Sequence, residues 1–242
     1  MAPSLFISDL HLATDRPQSA ETLVQFLRST ARHAGQLFIL GDLFEYWIGD
    51  EALDDPMPAK VAAALHKLGS GGTAVSYLHG NRDFLIGQRF AQAAGVRLLP
   101  DPFMVTLYGV PTLLMHGDTL CTDDIEYLEF RKMVRNPAWQ AAFLAKPMPE
   151  RIKLAGSARA QSEQSKQVKP MNVMDVTTNA VESVLRQHKY PRLIHGHTHR
   201  PATHRHVVDG HQCERIVLAD WYANGSYLEC DEDGCRAVAI EG

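Results

Sequence analysis

Short apolar runs separated by amphipathic stretches dominate most of the chain. The apolar runs predict buried strands over residues 5–7, 37–40, 73–78, 112–115 and 193–194. Helical spacing predicts helices over residues 20–33, 58–68 and 173–188, and short helices over 125–167 broken at Pro137, Pro147 and Pro149. Residues 203–240 have the pattern of several further strands. This order of elements predicts a mixed α/β sandwich.

A polar residue follows each of the five predicted strands, most often beside a glycine. The residues at these ends are Asp9, Asp42, Asn81, His116 and His195. Binding sites in open α/β sheets form beyond the carboxyl ends of strands, where loops leave a rigid scaffold. We therefore expect these five loops to build one site.

The side chains at the strand ends have the chemistry of metal ligands. Carboxylate oxygens and imidazole nitrogens suit Mn²⁺, Fe²⁺ and Zn²⁺, and the absence of cysteine among them argues against structural zinc. The candidate ligands are Asp9, His11, Asp42, Asn81, His116, His195 and His197. Seven ligands exceed the need of one ion that keeps an open position, but they suit two ions about 3.5–4 Å apart that share a carboxylate. The metal's identity stays open among the three.

Length and composition indicate an ordinary globular protein. The 242 residues fit a single domain with an insertion, and 45% hydrophobic with 21% charged residues exclude disordered and collagen-like chains. No apolar run reaches the ~20 residues of a membrane-spanning helix, and the first residues lack the basic segment of a signal peptide. Four cysteines without a CxxC pair predict a reduced, cytosolic protein.

Charge is concentrated in one segment. Residues 131–169 carry nine Lys or Arg against two Glu, a local charge of +7 in a chain whose net charge is −4. A basic segment in an acidic protein attracts an anionic partner such as a membrane surface or a phosphorylated substrate. The alternative is a solvated helical face. The acidic remainder of the chain argues against a nucleic-acid binder.

An ordered series of short motifs resembles the calcineurin-like metallophosphoesterases. The series is Asp9-x-His11, Gly41-Asp42, Gly80-Asn81-Arg82-Asp83, His116-Gly117-Asp118 and His195-Gly196-His197. The family's third motif usually has a histidine where this chain has Arg82. That departure, the ending His-Gly-His-Thr-His-Arg-Pro201 and the basic insertion resemble the branch of the family that acts on UDP-2,3-diacylglucosamine in lipid A synthesis.

The resemblance implies a fold, a cofactor and a ligand set. The fold is a metallophosphoesterase β-sandwich flanked by helices, here as one domain over residues 1–242 with an inserted helical segment, residues 124–169, that we call the lid. Two Mn²⁺ are implied, with Fe²⁺ and Zn²⁺ still possible. One ion would bind Asp9, His11, Asp42 and His197, and the other Asp42, Asn81, His116 and His195, with Asp42 as the bridge.

Arg82 has a chemical interpretation of its own. A histidine in that place can protonate an alkoxide leaving group, whereas arginine stays charged and instead forms bidentate hydrogen bonds to a phosphoryl group. Loss of the acid matters little if the leaving group is itself a phosphate, because its second pKa is near ~6. Arg82 therefore favours cleavage of a diphosphate by water that two cations have acidified to hydroxide. We expect Arg82 and Asn81 to be catalytic residues.

The lid lies between His116 and His195 in sequence, so its two ends are expected near the metals. Trp139, Ala142 and Phe143 share a helical face. That face either packs onto the body of the protein or lines an apolar chamber for acyl chains, rimmed by basic residues. The resemblance carries substrate contacts to Asn81, Arg82, Asp124, Ser162, Lys166, Lys169 and His195, although relatives are expected to have an amide at position 166.

Together the resemblance implies hydrolysis of UDP-2,3-diacylglucosamine to UMP and 2,3-diacylglucosamine 1-phosphate. The implied protein is a cytoplasmic monomer, peripheral on the anionic inner membrane, with no nucleic-acid partner. Two alternatives stay open: a metallophosphoesterase for another nucleotide, diester or phosphoprotein, and a binding module that uses this fold as a scaffold.

Several other residues receive structural interpretations. Asp83 and Asp118 are expected to be hydrogen-bond partners, and His79 to be structural. We expect His199 to orient a ligand imidazole. His204, His206 and His211 suit a solvated strand edge.

Overall fold

Two β-sheets form the centre of the protein in a computed structural model that describes residues 1–168, 175–222 and 225–240. The strands are β1 (Ser4–Ile7), β2 (Gln36–Ile39), β3 (Ala74–Leu78), β4 (Arg97–Leu99), β5 (Phe103–Leu107), β6 (Val110–Leu114), β7 (Arg192–His195), β8 (Ala202–Val208), β9 (His211–Val217), β10 (Ser226–Asp231) and β11 (Gly234–Ala239). One sheet has the order β11-β10-β1-β2-β3-β4, and the other β5-β6-β7-β9-β8.

Helices cover the outer faces of the sheets. They are α1 (Pro17–Ser29), α2 (Pro56–Ser70), α3 (Gln88–Ala94), α4 (Ile125–Val134), α5 (Pro137–Leu144), α6 (Met148–Val168) and α7 (Thr178–Gln187). Short 3-10 turns lie at Ala31–His33, Asp50–Asp54 and Asp118–Leu120. Helices α4, α5 and α6 make up the described part of the lid.

Alternating side chains of the central strands build the layers. Leu37 and Ile39 of β2 face the helices, where they pack with Leu23 of α1 and Val61 of α2. The opposite face of the same sheet packs on the second sheet, for example Phe38 against Ile194. Helix α7 covers the outer face of the second sheet. Both faces of these strands are therefore buried, which explains their continuous apolar runs.

The parallel strands end at a common edge. Strands β1, β2 and β3 pair in parallel with Ser4 opposite Gln36 and Gln36 opposite Ala74, and β6 pairs in parallel with β7. The carboxyl ends of these five strands carry the loops that contain the candidate ligands. The mixed sandwich predicted from the sequence is confirmed.

Three details differ from the predicted elements. Pro149 does not break a helix, because it is the second residue of α6, where a helix has no backbone bond for proline to remove. Helix α3 and strands β4 and β5 were not predicted. The predicted helix over 173–188 is observed from Thr178, and part of its predicted start lies outside the described residues.

The expectation that all cysteines are reduced is wrong for one pair. Cys230 and Cys235 form a disulfide across the β10–β11 hairpin, where they are paired residues with Cα atoms 4.1 Å apart. The pairing register brings their side chains together even though no CxxC spacing announces it. Cys121 and Cys213 are buried and are not part of a disulfide. No helix among the described residues is long and apolar enough to cross a membrane.

Candidate metal centre

The loops after β1 and β2 run side by side and thereby bring the first ligands together. The amide of Asp9 donates to the carbonyl of Gly41 at 3.1 Å, and that of His11 to the carbonyl of Asp42 at 2.9 Å. Asp9, His11 and Asp42 have positive φ values of 56°, 48° and 52°. Non-glycine residues rarely adopt this conformation, and such strain is concentrated at functional sites. The turns aim all three side chains into one space.

Two glycines allow other loops to approach these carboxylates. A Cβ on Gly80 would lie 2.1 Å from Asp42 Oδ1, and one on Gly196 would lie 2.3 Å from Asp9 Oδ2. The close approach places backbone donors on the carboxylates: the amide of Arg82 lies 2.8 Å from Asp42 Oδ1. The glycines of the third and fifth motifs are therefore steric requirements of the site.

Two overlapping groups of buried side chains have the spacing of metal ligands. Potential ligand atoms of Asp9, Asp42 and His116 lie within 4.8 Å of one another, and so do those of Asp9, His11 and His199. Asp9 belongs to both groups. His11 Nε2 lies 3.8 Å from Asp42 Oδ2, which joins the two groups at a second point. The structure thus brings together ligands from β1, β2 and β6.

Asn81 and His197 complete the wall of this cluster. Asn81 Oδ1 lies 2.9 Å from His116 Nε2 and 2.9 Å from His197 Nδ1. The amide of His197 donates to Asp9 Oδ2 at 2.9 Å. Six of the seven predicted ligands therefore contact one another directly or through a shared partner.

His195 lies next to the cluster with both ring nitrogens directed elsewhere. Its Nδ1 is 2.9 Å from the carbonyl of Gly196, and its Nε2 accepts from Arg215 Nη1 at 3.1 Å. The side chain is fully buried. A role as ligand requires the ring to exchange one of these contacts. Sequence reasoning missed Arg215, because nothing near it marks it as a neighbour of the fifth motif.

Burial and charge set the protonation of the cluster. Burial raises the pKa of Asp42 to about 7. Burial opposes protonation of His116, but the carboxylates of Asp42, Asp118 and Asp9 outweigh it and raise the pKa to about 9. Its ring accordingly places one nitrogen 2.8 Å from the carbonyl of Leu40 and the other beside Asn81. The surrounding carboxylates thus favour the protonated form of His116.

The imidazoles of His11, His195 and His197 are neutral near pH 7. Burial lowers the pKa of His11 to about 2, of His197 to about 3 and of His195 to about 4. Metal ions bind neutral imidazole, so these rings are ready to act as ligands without loss of a proton.

The residues present fit a pair of divalent cations. Asp9 Oδ1 and His11 Nδ1 are buried without a hydrogen-bond partner in the described part of the chain. Buried polar atoms without partners are costly, and a cation would satisfy the carboxylate. The donors are oxygen and nitrogen atoms in the mixture that Mn²⁺, Fe²⁺ and Zn²⁺ accept.

Three supporting residues, Asp83, Asp118 and His79, make the structural contacts that the sequence predicted, whereas His199 differs. Asp83 accepts from the amides of Leu43 at 2.7 Å and Gly80 at 3.0 Å, so it joins the second and third motifs. Asp118 accepts from Arg131 Nε at 2.7 Å. His79 Nε2 lies 2.8 Å from the carbonyl of Ile86, a structural contact. His199 lies 3.3 Å from His11 Nε2 and 3.4 Å from Asp9 Oδ1, closer to the cluster than an orienting role requires.

The predicted substrate contacts lie around the cluster and on the lid. Arg82 is half-buried, its charge acts on His11 and Asp42, and its guanidinium has no hydrogen bond or ion pair among the described residues. Asp124 caps α4 by accepting from the amide of Tyr127 at 3.2 Å. The side chains of Ser162 and Lys166, and all of Lys169, lie outside the described residues.

The lid is attached to the site by its arginines. Arg135 donates to the carbonyl of Gly80 at 2.7 Å, and Arg151 to the carbonyl of Ile48 at 2.6 Å. Arg131 contacts Asp118, and Arg159 lies 3.5 Å from Glu45. Each of these partners is in a loop that carries a candidate ligand. Much of the basic charge is therefore bound internally, and only the rest is available to an anionic partner.

The apolar face of α5 packs onto the body of the protein. Trp139 stacks on Phe143 with ring centroids 5.0 Å apart, and Phe143 is only 7% exposed in the main core. Other large apolar side chains of the lid are exposed: Ile125, Phe130, Met133, Leu144, Ile152 and Leu154. The face of α5 that carries Trp139 and Phe143 therefore packs inward, and the other large apolar side chains of the lid are exposed on its surface.

The chain is similar to known proteins over most of its length. The model of the calcineurin-like phosphoesterase family matches residues 2–201. A protein of Aromatoleum aromaticum named UDP-2,3-diacylglucosamine hydrolase is 52% identical over 231 residues, which cover 96% of this chain and 94% of that protein. Proteins of the same name from Cellvibrio japonicus and Serratia proteamaculans are 49% and 46% identical, over 96% and 97% of this chain and 96% and 98% of theirs.

Proposed function

The chain belongs to the calcineurin-like phosphoesterase family, and we propose that it hydrolyses UDP-2,3-diacylglucosamine at the diphosphate. The products are UMP and 2,3-diacylglucosamine 1-phosphate. The observation that carries this proposal is 52% identity to a protein named for this activity over 96% of the chain. A match of that length includes both the strand-end cluster and the lid.

Two divalent cations are part of the proposal. Asp9, His11, Asp42 and His197 hold one, and Asp42, Asn81, His116 and His195 hold the other. Mn²⁺ is the proposed ion, and the ligands also suit Fe²⁺ and Zn²⁺. When bound, the pair supplies Lewis acidity to the phosphoryl oxygens and an acidified water as nucleophile.

Arg82 binds the diphosphate in this proposal. Its backbone amide is fixed on Asp42 Oδ1 at 2.8 Å, so the guanidinium extends from a rigid point beside the cluster. A guanidinium without a protein partner has its donors free for two oxygens of one phosphoryl group. It neutralises charge there and transfers no proton, which suits a phosphate leaving group. Asn81 acts beside it from its position between His116 and His197.

The lid contributes the remaining substrate contacts. Asp124, Ser162, Lys166, Lys169 and His195 contact the nucleotide or the sugar lipid. The exposed apolar residues of the lid hold the acyl chains, because they would otherwise face water. The protein acts as a monomer at the cytoplasmic face of the inner membrane, where exposed lysines of the lid attract anionic lipid.

The test is Mn²⁺-dependent hydrolysis of UDP-2,3-diacylglucosamine in ¹⁸O-labelled water. We expect the label in one product, and a loss of at least tenfold, about 1.4 kcal/mol, in Arg82→His. Lys169→Ala is measured in parallel for the lid contact. Arg89→His is the matched control, because Arg89 is an exposed arginine paired with Asp54 away from the cluster.

Two results would contradict the proposal. Faster turnover of p-nitrophenyl phosphate than of the UDP-lipid would favour another phosphoesterase substrate. Full function of Asp42→Ala in cells would favour a non-catalytic scaffold. Unchanged rates in Arg82→His would contradict only the role proposed for Arg82 and would leave the proposed substrate standing.

A further inference from the structure

Glu45 is a buried carboxylate that the proposed reaction does not use. It lies three residues after Asp42, and it is 3% exposed. Its backbone amide donates to the carbonyl of Leu12 at 3.0 Å, which continues the parallel pairing of the loops after β1 and β2. This pairing places its side chain beside His11. Apart from its proximity to Asp42, nothing in the sequence marks Glu45 as a functional residue.

The two nitrogens of His11 face different surroundings. Nε2 faces the cluster, 3.8 Å from Asp42 Oδ2 and 3.3 Å from His199 Nε2. Nδ1 faces away from the cluster and lies 3.6 Å from Glu45 Oε2. That distance is longer than a hydrogen bond, and Nδ1 has no partner in the described part of the chain. If the Glu45 carboxylate and the His11 ring moved together by well under 1 Å, Nδ1 would donate a hydrogen bond to Oε2.

Stacking alone does not decide which nitrogen of His11 faces the cluster. Tyr222 stacks on the ring with centroids 5.1 Å apart and an interplanar angle of 7°. This contact fixes the plane of the imidazole, but a half-turn about the Cβ–Cγ bond preserves the plane and exchanges nitrogen for carbon. An acceptor on one side of the ring removes that ambiguity, and Glu45 is the acceptor in that place.

Glu45 is itself held in position from two directions. Arg16 Nη2 donates to Glu45 Oε2 at 2.9 Å and to the carbonyl of His11 at 2.8 Å. Arg159 of the lid lies 3.5 Å from the other oxygen, Oε1. The carboxylate therefore has charged partners that balance its burial, and it contacts both the lid and the backbone of His11.

We propose that Glu45 is a positioning residue that orients His11, by accepting a hydrogen bond from Nδ1, so that Nε2 binds a cation. Ligand histidines usually donate their second nitrogen to a carboxylate, and loss of such a partner weakens metal binding about 10- to 100-fold. Through Arg159 the same carboxylate connects the lid with the metal centre. The inference rests on the metal centre of the proposed function and not on its substrate.

The test measures Mn²⁺ binding to metal-free protein by calorimetry, without substrate. Glu45→Gln keeps the size of the side chain and an acceptor for Arg16, and we expect it to bind Mn²⁺ about tenfold more weakly. Glu51→Gln is the matched control, because Glu51 also pairs with a lid arginine, Arg151 at 2.8 Å, but does not contact a ligand. Its Mn²⁺ affinity should stay within twofold of the original.

A second measurement separates positioning from a merely structural role. In metal-free protein labelled with ¹⁵N-histidine, we expect His11 to carry its proton on Nδ1, and Glu45→Gln to increase the other tautomer. A structural role would lower the melting temperature without changing either quantity. Unchanged Mn²⁺ affinity in Glu45→Gln, or an equal loss in Glu51→Gln, would overturn the proposal. Failure of the protein to hydrolyse the UDP-lipid would contradict the proposed substrate and would not affect the role of Glu45 in metal binding.

Discussion

The strand-end cluster and the lid use charged side chains in opposite ways. In the cluster, Asp9 and Asp42 are buried, and Asp9 Oδ1 has no hydrogen-bond partner in the described part of the chain. In the lid, arginines such as Arg135 and Arg151 donate to backbone carbonyls of the body. The cluster is arranged to bind a charged ligand, whereas many of the lid's positive charges are paired with groups of the protein itself. Local net charge therefore does not measure the charge available to a partner.

Asp42→Asn should give the largest effect, because it changes the cluster at its proposed bridge. We expect the rate of UDP-lipid hydrolysis to fall roughly a thousandfold, about 4 kcal/mol, since the amide lacks the charge that holds two cations. Circular dichroism should show an intact fold. A rate within tenfold of the original would mean that Asp42 does not bridge.

Arg131→Gln tests whether lid arginines are structural. Arg131 Nε lies 2.7 Å from Asp118 Oδ2, so its removal takes the charged partner from a fully buried carboxylate that then keeps the hydrogen bond from the Tyr127 hydroxyl. We expect the free energy of unfolding to fall by about 3 kcal/mol. Lys132→Gln is the control, because Lys132 is exposed and should change it by less than about 0.5 kcal/mol. An equal loss of unfolding free energy in Arg131→Gln and Lys132→Gln would contradict the structural role of Arg131.

Asp101→Asn should raise stability, in contrast to Arg131→Gln. Burial and the charge of Asp118 raise the pKa of Asp101 from 3.8 to about 6, and neither carboxylate oxygen accepts a hydrogen bond from the described residues. Ionisation therefore costs the folded state nothing below about pH 4 and most above about pH 6. We expect a gain of about 2 to 3 kcal/mol at pH 7.5 and a smaller gain at pH 5, measured by denaturant unfolding. A gain independent of pH would contradict this origin.

The exposed lysines of the lid should give the smallest effect. Lys132 and Lys153 are exposed and have no ion pair among the described residues. Changing each to glutamate should weaken binding to vesicles with anionic lipid by at least about 1 kcal/mol per residue, and salt should reduce the difference. Arg89→Glu serves as a control away from the lid. If both substitutions left the affinity for the vesicles unchanged, the charge of the lid would have no role in membrane binding.

The sequence brought the residues of the cluster to attention because the signals that mark them are local. A strand end followed by Asp, His or Asn beside glycine reports both the position and the chemistry, and Gly80 and Gly196 proved to be steric requirements. Strand β4 was missed because it has only three residues. Strand β5 was missed because it lies on a sheet edge, where its first four residues alternate between half-buried and exposed and form no buried run. Helix α3 has only seven residues.

The contacts that the sequence did not predict depend on distant residues. Glu45 and Arg215 gain their roles from neighbours far along the chain, Arg159 and His195. The Cys230–Cys235 disulfide follows from hairpin register, which the spacing of the two residues does not reveal. Pairwise geometry of this kind is a property of the folded chain.

The metal centre draws its ligands from both layers of the sandwich. Asp42 follows β2 of the six-stranded sheet, whereas His116 follows β6 of the five-stranded sheet. A filled centre would thus add a cross-link between two layers that are also joined by apolar side chains and by a few hydrogen bonds such as that of the His197 amide to Asp9. Chelation should then do more than stop catalysis, because it removes this cross-link. We expect the six-stranded and the five-stranded sheets to unfold less cooperatively in the metal-free protein than in the metal-loaded protein.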